Sequence, residues 1–448
     1  MKRLIDYYLK EWKNDRYRTA LLLRGARQVG KTYAVRNLGE TYESFVEVNL
    51  EKMRKATPIF EQGNLEPKQI LKDLSILLNK DIIPGKTLLF IDEIQKVPSA
   101  ITALRYFYEE IPELHVIGAG SLLDFAIETE GMPVGRVESL YMYPVSFIEF
   151  LAATKNYLAL KEIMNQEADQ PISEVIHNKL LEHLTEYLAI GGMPKAVEVW
   201  AETKDFRACA KVHQKIISTY KQDFSKYAKT KQIKYLENVF KSIPRQIGSK
   251  FKYTEIEGEF RKRELSPVLD KLEIAGVAHK IVRTSGNGIP LGAETYFDDY
   301  KIFLLDIAIN QTVLGLKLGE WLLNPLKQFV NRGNFTEAFV GQELLAYSNP
   351  FEKEQLYFWR RNVKGSEAEV DYLIQKNQDI IPIEVKSAEG TRLKSMQMFL
   401  DLHSNTSSYG IRFSTNNYSI FDKIHSYPLY SIAKTIVENK KSINELLI

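Results

Sequence analysis

Apolar positions in the first third of the chain follow two patterns. Leu4, Tyr7, Tyr8 and Trp12 recur at helical spacing and predict an amphipathic helix over residues 2–14. Short apolar runs of strand length follow at Ala20–Leu23, Leu88–Ile91 and Leu114–Ile117, and Phe45–Leu50 alternates as a further strand. Strands without a polar face are buried on both sides, which points to a parallel sheet covered by helices, so residues 1–150 read as an α/β domain. Between the strands, a helix is expected from Lys31 to about Leu38, helical segments continue to Leu78, and Pro84-Gly85 marks a turn.

The pattern changes after residue 150. Residues 151–230 carry helical spacing without strand-like alternation, interrupted by Gly191-Gly192-Met193-Pro194, which reads as a corner between helices. Residues 231–312 have the rhythm of a winged helix: a helix over Tyr235–Ile247, then a second with Ser266 as its cap, Pro267 in its first turn and Gly276 at its end. A strand over Val277–Val282 and a hairpin turn at Ser285-Gly286-Asn287-Gly288 complete it, and the helix from Ser266 would then be the recognition helix. Residues 313–448 predict a helix (Thr336–Tyr347), strands at Gln355–Trp359, Ala368–Ile374 and Asp379–Val385, a helix (Arg392–Leu402) and a strand at Tyr409–Ser414.

A chain of 448 residues exceeds one hydrophobic core, so several domains are expected. Hydrophobic content of 44% and charged content of 26% suit a globular protein, and a net charge of +3 does not by itself point to nucleic acid. The single cysteine, Cys209, excludes a disulfide framework and a cysteine-rich zinc site. Without an apolar leader after Met1-Lys2-Arg3 or a run long enough to span a bilayer, a cytoplasmic location without membrane partners is expected. Charge is uneven, however. Residues 204–264 hold 16 lysines and arginines against 7 acids, interleaved with aromatics such as Tyr220, Phe224, Tyr235 and Phe251. Such a stretch is a candidate for contacting DNA phosphates.

The sharpest chemical signal follows the first strand. Gly25-Ala26-Arg27-Gln28-Val29-Gly30-Lys31-Thr32 has the spacing G-x-x-x-x-G-K-[ST]. Glycines let the backbone wrap phosphate oxygens with its N–H groups, and the helix starting at Lys31 adds the positive end of its dipole. Lys31 would reach the β- and γ-phosphates of ATP, and Thr32 would hold Mg²⁺. The strand Thr87–Ile91 runs into Asp92 and Glu93, candidates for binding the magnesium and polarising the attacking water. Arg136 is a candidate cation for the transition state, in cis or in a neighbouring subunit of a homo-oligomer.

The runs LLLRGARQVGKT, LLFIDEIQ, GAGSLLDF, a following Gly-Arg and YPVSFIEFL resemble prokaryotic AAA-type P-loop ATPases fused to a C-terminal domain long catalogued as of unknown function. The resemblance implies that Ser121, after the fourth strand, sits between the two acids and the γ-phosphate as a sensor. Ala119 and Gly120 depart from the threonine and glycine that often precede that serine. It also extends to the Gly-Gly-x-Pro turn.

In the C-terminal part, alternation puts Glu384 and Lys386 on one face of the strand that ends Ile383-Glu384-Val385-Lys386, with Asp371 in the strand before it. Two carboxylates with a lysine fit metal-assisted phosphodiester cleavage: Asp371 and Glu384 bind Mg²⁺ and Lys386 activates water or stabilises negative charge. Glu337 is the candidate third ligand, with Glu343 as its substitute. This arrangement resembles the PD-(D/E)XK nuclease superfamily, and YFWRR, AEVDYLI and IIPIEVKS resemble the domain usually fused to the ATPase family above. The expected architecture is therefore an N-terminal P-loop ATPase with a parallel sheet, a helical and winged-helix middle and a C-terminal α/β restriction-endonuclease-like domain. Two functions follow: an ATPase that engages DNA and drives Mg²⁺-dependent cleavage, or a nucleotide-dependent switch whose C-terminal domain binds nucleic acid or protein without cutting.

Overall fold

The computed structural model describes residues 1–448 except 62, 64, 132–134, 168, 316–332, 365, 387–392, 438–439 and 448. Arg392, the first residue of the helix expected over Arg392–Leu402, lies outside the described residues.

Five strands form the first sheet: β1 (Ala20–Arg24), β2 (Ser44–Asn49), β3 (Thr87–Asp92), β4 (His115–Ala119) and β5 (Val137–Tyr141). Their order is β2-β3-β4-β1-β5 and every pairing is parallel. Leu21, Leu22 and Leu23 are fully buried, as are Leu88–Ile91, because helices cover both faces of the sheet. The last strand escapes the pattern reading since Val137-Glu138-Ser139-Leu140-Tyr141 carries polar residues at the sheet edge. The order sets β4 between β1 and β3, so the loops after all three converge at one edge of the sheet.

The second sheet has eight strands in the order β12-β13-β11-β10-β9-β8-β6-β7. These are β6 (Ala278–Thr284), β7 (Thr295–Leu304), β8 (Leu356–Val363), β9 (Ser366–Lys376), β10 (Asp379–Val385), β11 (Gly410–Ser414), β12 (Ser419–Phe421) and β13 (Ile424–Pro428). The helices Thr230–Ser242 and Lys262–Ile274 and the β6–β7 hairpin occur in the order expected for a winged helix. The hairpin does not stand alone, since β6 pairs in parallel with β8, Ile281 opposite Leu356. The expected domains 231–312 and 313–448 therefore share one sheet.

The second helix of that region begins four residues before the expected cap. Glu264 accepts from the backbone N–H of Arg261 at 2.9 Å and fixes the start at Lys262, which leaves Pro267 inside the helix and Ser266 without a capping role. The helix Gly333–Ala346 crosses the second sheet at close range. A Cβ at Gly341 would meet the Tyr372 hydroxyl at 2.5 Å, so only glycine permits that approach.

Candidate functional site

The phosphate loop leaves β1 at Gly25, whose φ of 135° and whose virtual Cβ, 2.2 Å from the Met142 carbonyl oxygen, both require glycine. Gln28 (φ 68°) and Gly30 (φ 105°) continue the left-handed turn, which opens into the helix Lys31–Gly39. The Lys31 ammonium donates to the carbonyls of Gly25 and Ala26 at 2.7 and 2.8 Å. Burial pushes its pKa down to about 8, against the pull of Glu93 and Asp92, so an anion beside it would favour the charged form.

Asp92 ends β3. Its carboxylate lies 3.4 and 3.5 Å from the Thr32 hydroxyl and accepts from the Asn49 amide at 2.9 Å. Burial, then the neighbouring Glu93, raises its pKa. Glu93 takes a left-handed backbone (φ 52°), and its carboxylate accepts from Gln95 at 2.5 Å and Ser121 at 3.4 Å. A cavity of about 650 Å³ is lined by Gln28, Gly30, Lys31, Thr32, Asp92, Glu93 and Ser121, the size of a nucleotide site. Its opposite wall is Pro194, Lys195, Glu198 and Glu202, so the Gly-Gly-Met-Pro corner also delivers a helix start to the cavity. Buried Lys31 among carbonyls and the Thr32–Asp92 pair suit a triphosphate and its Mg²⁺: Lys31 and the loop would hold the phosphates, Thr32 and Asp92 the ion.

Arg136 and the aromatics of residues 204–264 are placed otherwise than expected. Arg136 precedes β5, and β5 runs parallel to β1 with Ala20 opposite Val137 and Arg24 opposite Tyr141. Arg136 therefore sits at the sheet edge away from the phosphate loop, exposed and paired with Glu109 at 3.0 Å, and does not serve its own subunit's site. Arg27 also lines the cavity, and its guanidinium donates to both carboxylate oxygens of Asp223 at 2.6 Å. Of the aromatics in residues 204–264, Tyr220, Phe224, Phe240 and Phe251 are buried and Tyr227, Tyr235 and Tyr253 half-buried, whereas most of the lysines and arginines there are exposed. Sequence reasoning passed over Asn49, Gln95 and Arg3; the last is buried and donates to Val29 O of the phosphate loop at 3.0 Å.

The second group of acids lies on the eight-stranded sheet. Extending the β9–β10 register from Tyr372 opposite Ile383 puts Asp371 across from Glu384 on one face. Lys386 forms an ion pair with Glu384, as alternation predicts, and Asp371 accepts from the Val385 N–H at 2.8 Å. Glu384 is 4% exposed and its Oε2 has no hydrogen-bond partner. Burial, then the Asp371 charge, holds its pKa above the usual carboxylate range. The orphaned oxygen facing a second carboxylate fits one hard cation, for which two carboxylates suffice.

Glu337 is engaged elsewhere. It binds the buried ammonium of Lys301 at 2.8 Å, and among the described residues no three His, Cys, Asp or Glu side chains form a metal-holding group. Burial opposes the Lys301 charge, and Glu337, Asp371 and Glu369 outweigh it and raise its pKa. Glu343 is also excluded as a ligand: it accepts from Phe147 N–H at 3.1 Å, the Tyr347 hydroxyl at 2.5 Å and the Tyr187 hydroxyl at 3.2 Å. These contacts pin the 333–346 helix to the first domain. No sequence signal marked Lys301, since its partners are distant in the chain.

Comparison with known proteins agrees with an ATPase domain in the first third of the chain. Residues 17–151 match a family model described as an AAA domain, and that segment is an AAA-type P-loop ATPase domain for which ATP is the expected nucleotide. Residues 181–319 and 332–432 match two models described only as domains of unknown function, DUF8612 and DUF4143. No curated protein matches the chain. Similar solved structures include the Walker-type ATPase PABY2304 of Pyrococcus abyssi, at 16% identity and a TM-score of 0.42 over 69% of this chain and 94% of that one. PCH-2 of C. elegans follows at 14% identity and a TM-score of 0.26, covering 46% and 64%. The Hsp104–ADP complex of S. cerevisiae is similar at 13% identity and a TM-score of 0.29, covering 60% and 38%. Among the described residues, no helix is long and apolar enough to cross a membrane.

Proposed function

We propose that this chain binds and hydrolyses ATP and that nucleotide occupancy governs an acidic, nuclease-like site that engages DNA. The observation that carries the first part is the convergence of Lys31, Thr32, Asp92, Glu93 and Ser121 on one cavity at the carboxyl edge of a parallel sheet. Lys31 and the loop N–H groups orient the phosphates. Thr32 and Asp92 hold the magnesium, which when bound neutralises charge developing on the phosphoryl group. Glu93, held by Gln95 and Ser121, accepts a proton from the attacking water and releases it after transfer. Arg136 acts only on the site of a neighbouring subunit, in a homo-oligomer.

Support for coupling is a series of buried polar contacts. Arg3 joins Val29 O to Glu149 at 3.0 and 2.9 Å, Glu149 accepts from Ser146 N–H at 2.8 Å, and the next N–H, of Phe147, donates to Glu343. Glu343 and Glu337 share one helix. For the acidic site, Asp371 and Glu384 would hold Mg²⁺, Lys386 would orient water, and the exposed cations of residues 204–264 would contact DNA phosphates.

One observation favours a second reading, a switch that binds nucleic acid or protein without cutting: Lys386 is closed onto Glu384 instead of standing free for water. Plasmid and linear DNA incubated with wild type and Lys386→Ala in Mg²⁺ or Mn²⁺, with and without ATP, separate the two. Cutting by wild type and not by the variant supports cleavage, whereas binding without cutting in every condition leaves the switch. Unchanged nucleotide binding by Lys31→Ala would overturn the phosphate-loop assignment.

A further inference from the structure

Lys301 is 0% exposed, yet neither proposed reaction uses it. It belongs to β7, in the hairpin that joins the C-terminal sheet, and its ammonium lies 2.8 Å from Glu337, 2.6 Å from Glu369 and 3.8 Å from Asp371. A buried ammonium is costly unless its protons find carboxylates, and buried carboxylates are equally costly without a cation. Glu369 is also bound by Arg360, whose Nη2 is 2.5 Å away. Asp371 divides its two oxygens: Oδ1 faces Lys301, and Oδ2 accepts from Val385. On the far side of Asp371 stands Glu384, whose Oε2 has no partner. The cluster thus has a filled cation position bounded by Glu337, Glu369 and Asp371, next to a second one bounded by Asp371 and Glu384, where Lys386 pairs with Glu384 Oε1 and leaves Oε2 without a partner. Two-metal phosphodiesterase sites use a shared carboxylate in the same way, with a divalent ion on each side.

We infer that Lys301 is a built-in cation that fills the second cation position of the acidic site, so that the site takes one divalent metal, between Asp371 and Glu384. The inference rests on reading Asp371 and Glu384 as metal ligands, and the experiment separates the two. Lys301 is a positioning residue here: it removes Glu337 and Glu369 from the ligand set and touches no substrate.

The test counts Mn²⁺ bound per full-length chain by equilibrium dialysis without nucleotide, in a Thr32→Ala background that removes the phosphate-loop metal ligand. The parent is expected to bind one Mn²⁺ that Asp371→Asn abolishes. Lys301→Met is expected to bind one more than the parent, and Lys301→Met/Glu337→Gln to lose that extra ion. If folded Lys301→Met binds no more Mn²⁺ than the parent, the inference is overturned. If the parent binds none and Lys301→Met binds one, Lys301 does fill a cation position and the Asp371–Glu384 reading fails instead. Should Lys301→Met unfold in the absence of metal, its melting curve decides. Recovery of a cooperative transition in Mn²⁺, by a Tm rise larger than Mn²⁺ gives the parent, supports the inference, and a chain still unfolded in Mn²⁺ contradicts it.

Discussion

Arg27 of the phosphate loop donates to both carboxylate oxygens of Asp223, a residue 196 positions further on, at 2.6 Å. Asp223 belongs to the helix Phe206–Tyr227, from which Tyr220 also donates to Arg27 O at 2.8 Å. The loop that holds phosphate is therefore set by the middle of the chain as well as by its own sheet. Asp223→Asn weakens a partly exposed ion pair while keeping its shape. The expected outcome is a loss of about 1 kcal/mol in loop ordering, seen by calorimetry as a several-fold rise in the Kd for ATP. An unchanged Kd would mean that the loop orders without the helix.

Gly25 is the position where the loop tolerates no side chain. Alanine there combines a disfavoured φ of 135° with a Cβ 2.2 Å from the Met142 carbonyl oxygen. Gly25→Ala is expected to cost about 2 kcal/mol or more, through strain and displacement of the segment after β5. Thermal unfolding reads the first effect and loss of ATP binding the second. A variant with wild-type Tm and affinity would contradict the loop geometry.

Glu343 gives the fold a pH dependence. Burial pushes its pKa from an ordinary 4.5 up to about 8, against the hydrogen bonds from Tyr347, Phe147 and Tyr187 that favour its charged form. The folded chain then holds the proton more tightly than the unfolded chain. Its contribution to stability is full below about 4.5 and is lost as pH rises through about 8. That loss is on the order of a few kcal/mol. Glu343→Gln should flatten the part of the fall in Tm that lies in this window; a variant whose Tm falls with pH as steeply as wild type removes Glu343 as the cause.

The sequence made both sites readable where the chemistry is local. Gly25–Thr32 is a contiguous loop, Asp92 and Glu93 end an apolar strand, and Glu384 and Lys386 differ by two residues on a strand, which fixes their common face. Other relationships depend on which chain segments meet. The position of Arg136 depends on β5, whose mixed residues hid a strand and so hid which end of the sheet the arginine occupies. Glu337 has the right residue type and helix for a metal ligand, but Lys301, from a hairpin read as part of a separate module, claims it. The joining of that hairpin to β8 is likewise a long-range pairing that turn residues and alternation do not encode.

The central claim, that the cavity at the end of β1 and β3 hydrolyses ATP with Glu93 as the water-activating group, is tested most directly by Glu93→Gln. Nucleotide affinity and phosphate release are measured on the same preparations of wild type and variant. The account predicts an ATP Kd close to wild type with phosphate release lowered by about 10²–10⁴-fold, the range for loss of a positioned general base. Phosphate release by Glu93→Gln at the wild-type rate, or none from wild type with ATP bound, would contradict it.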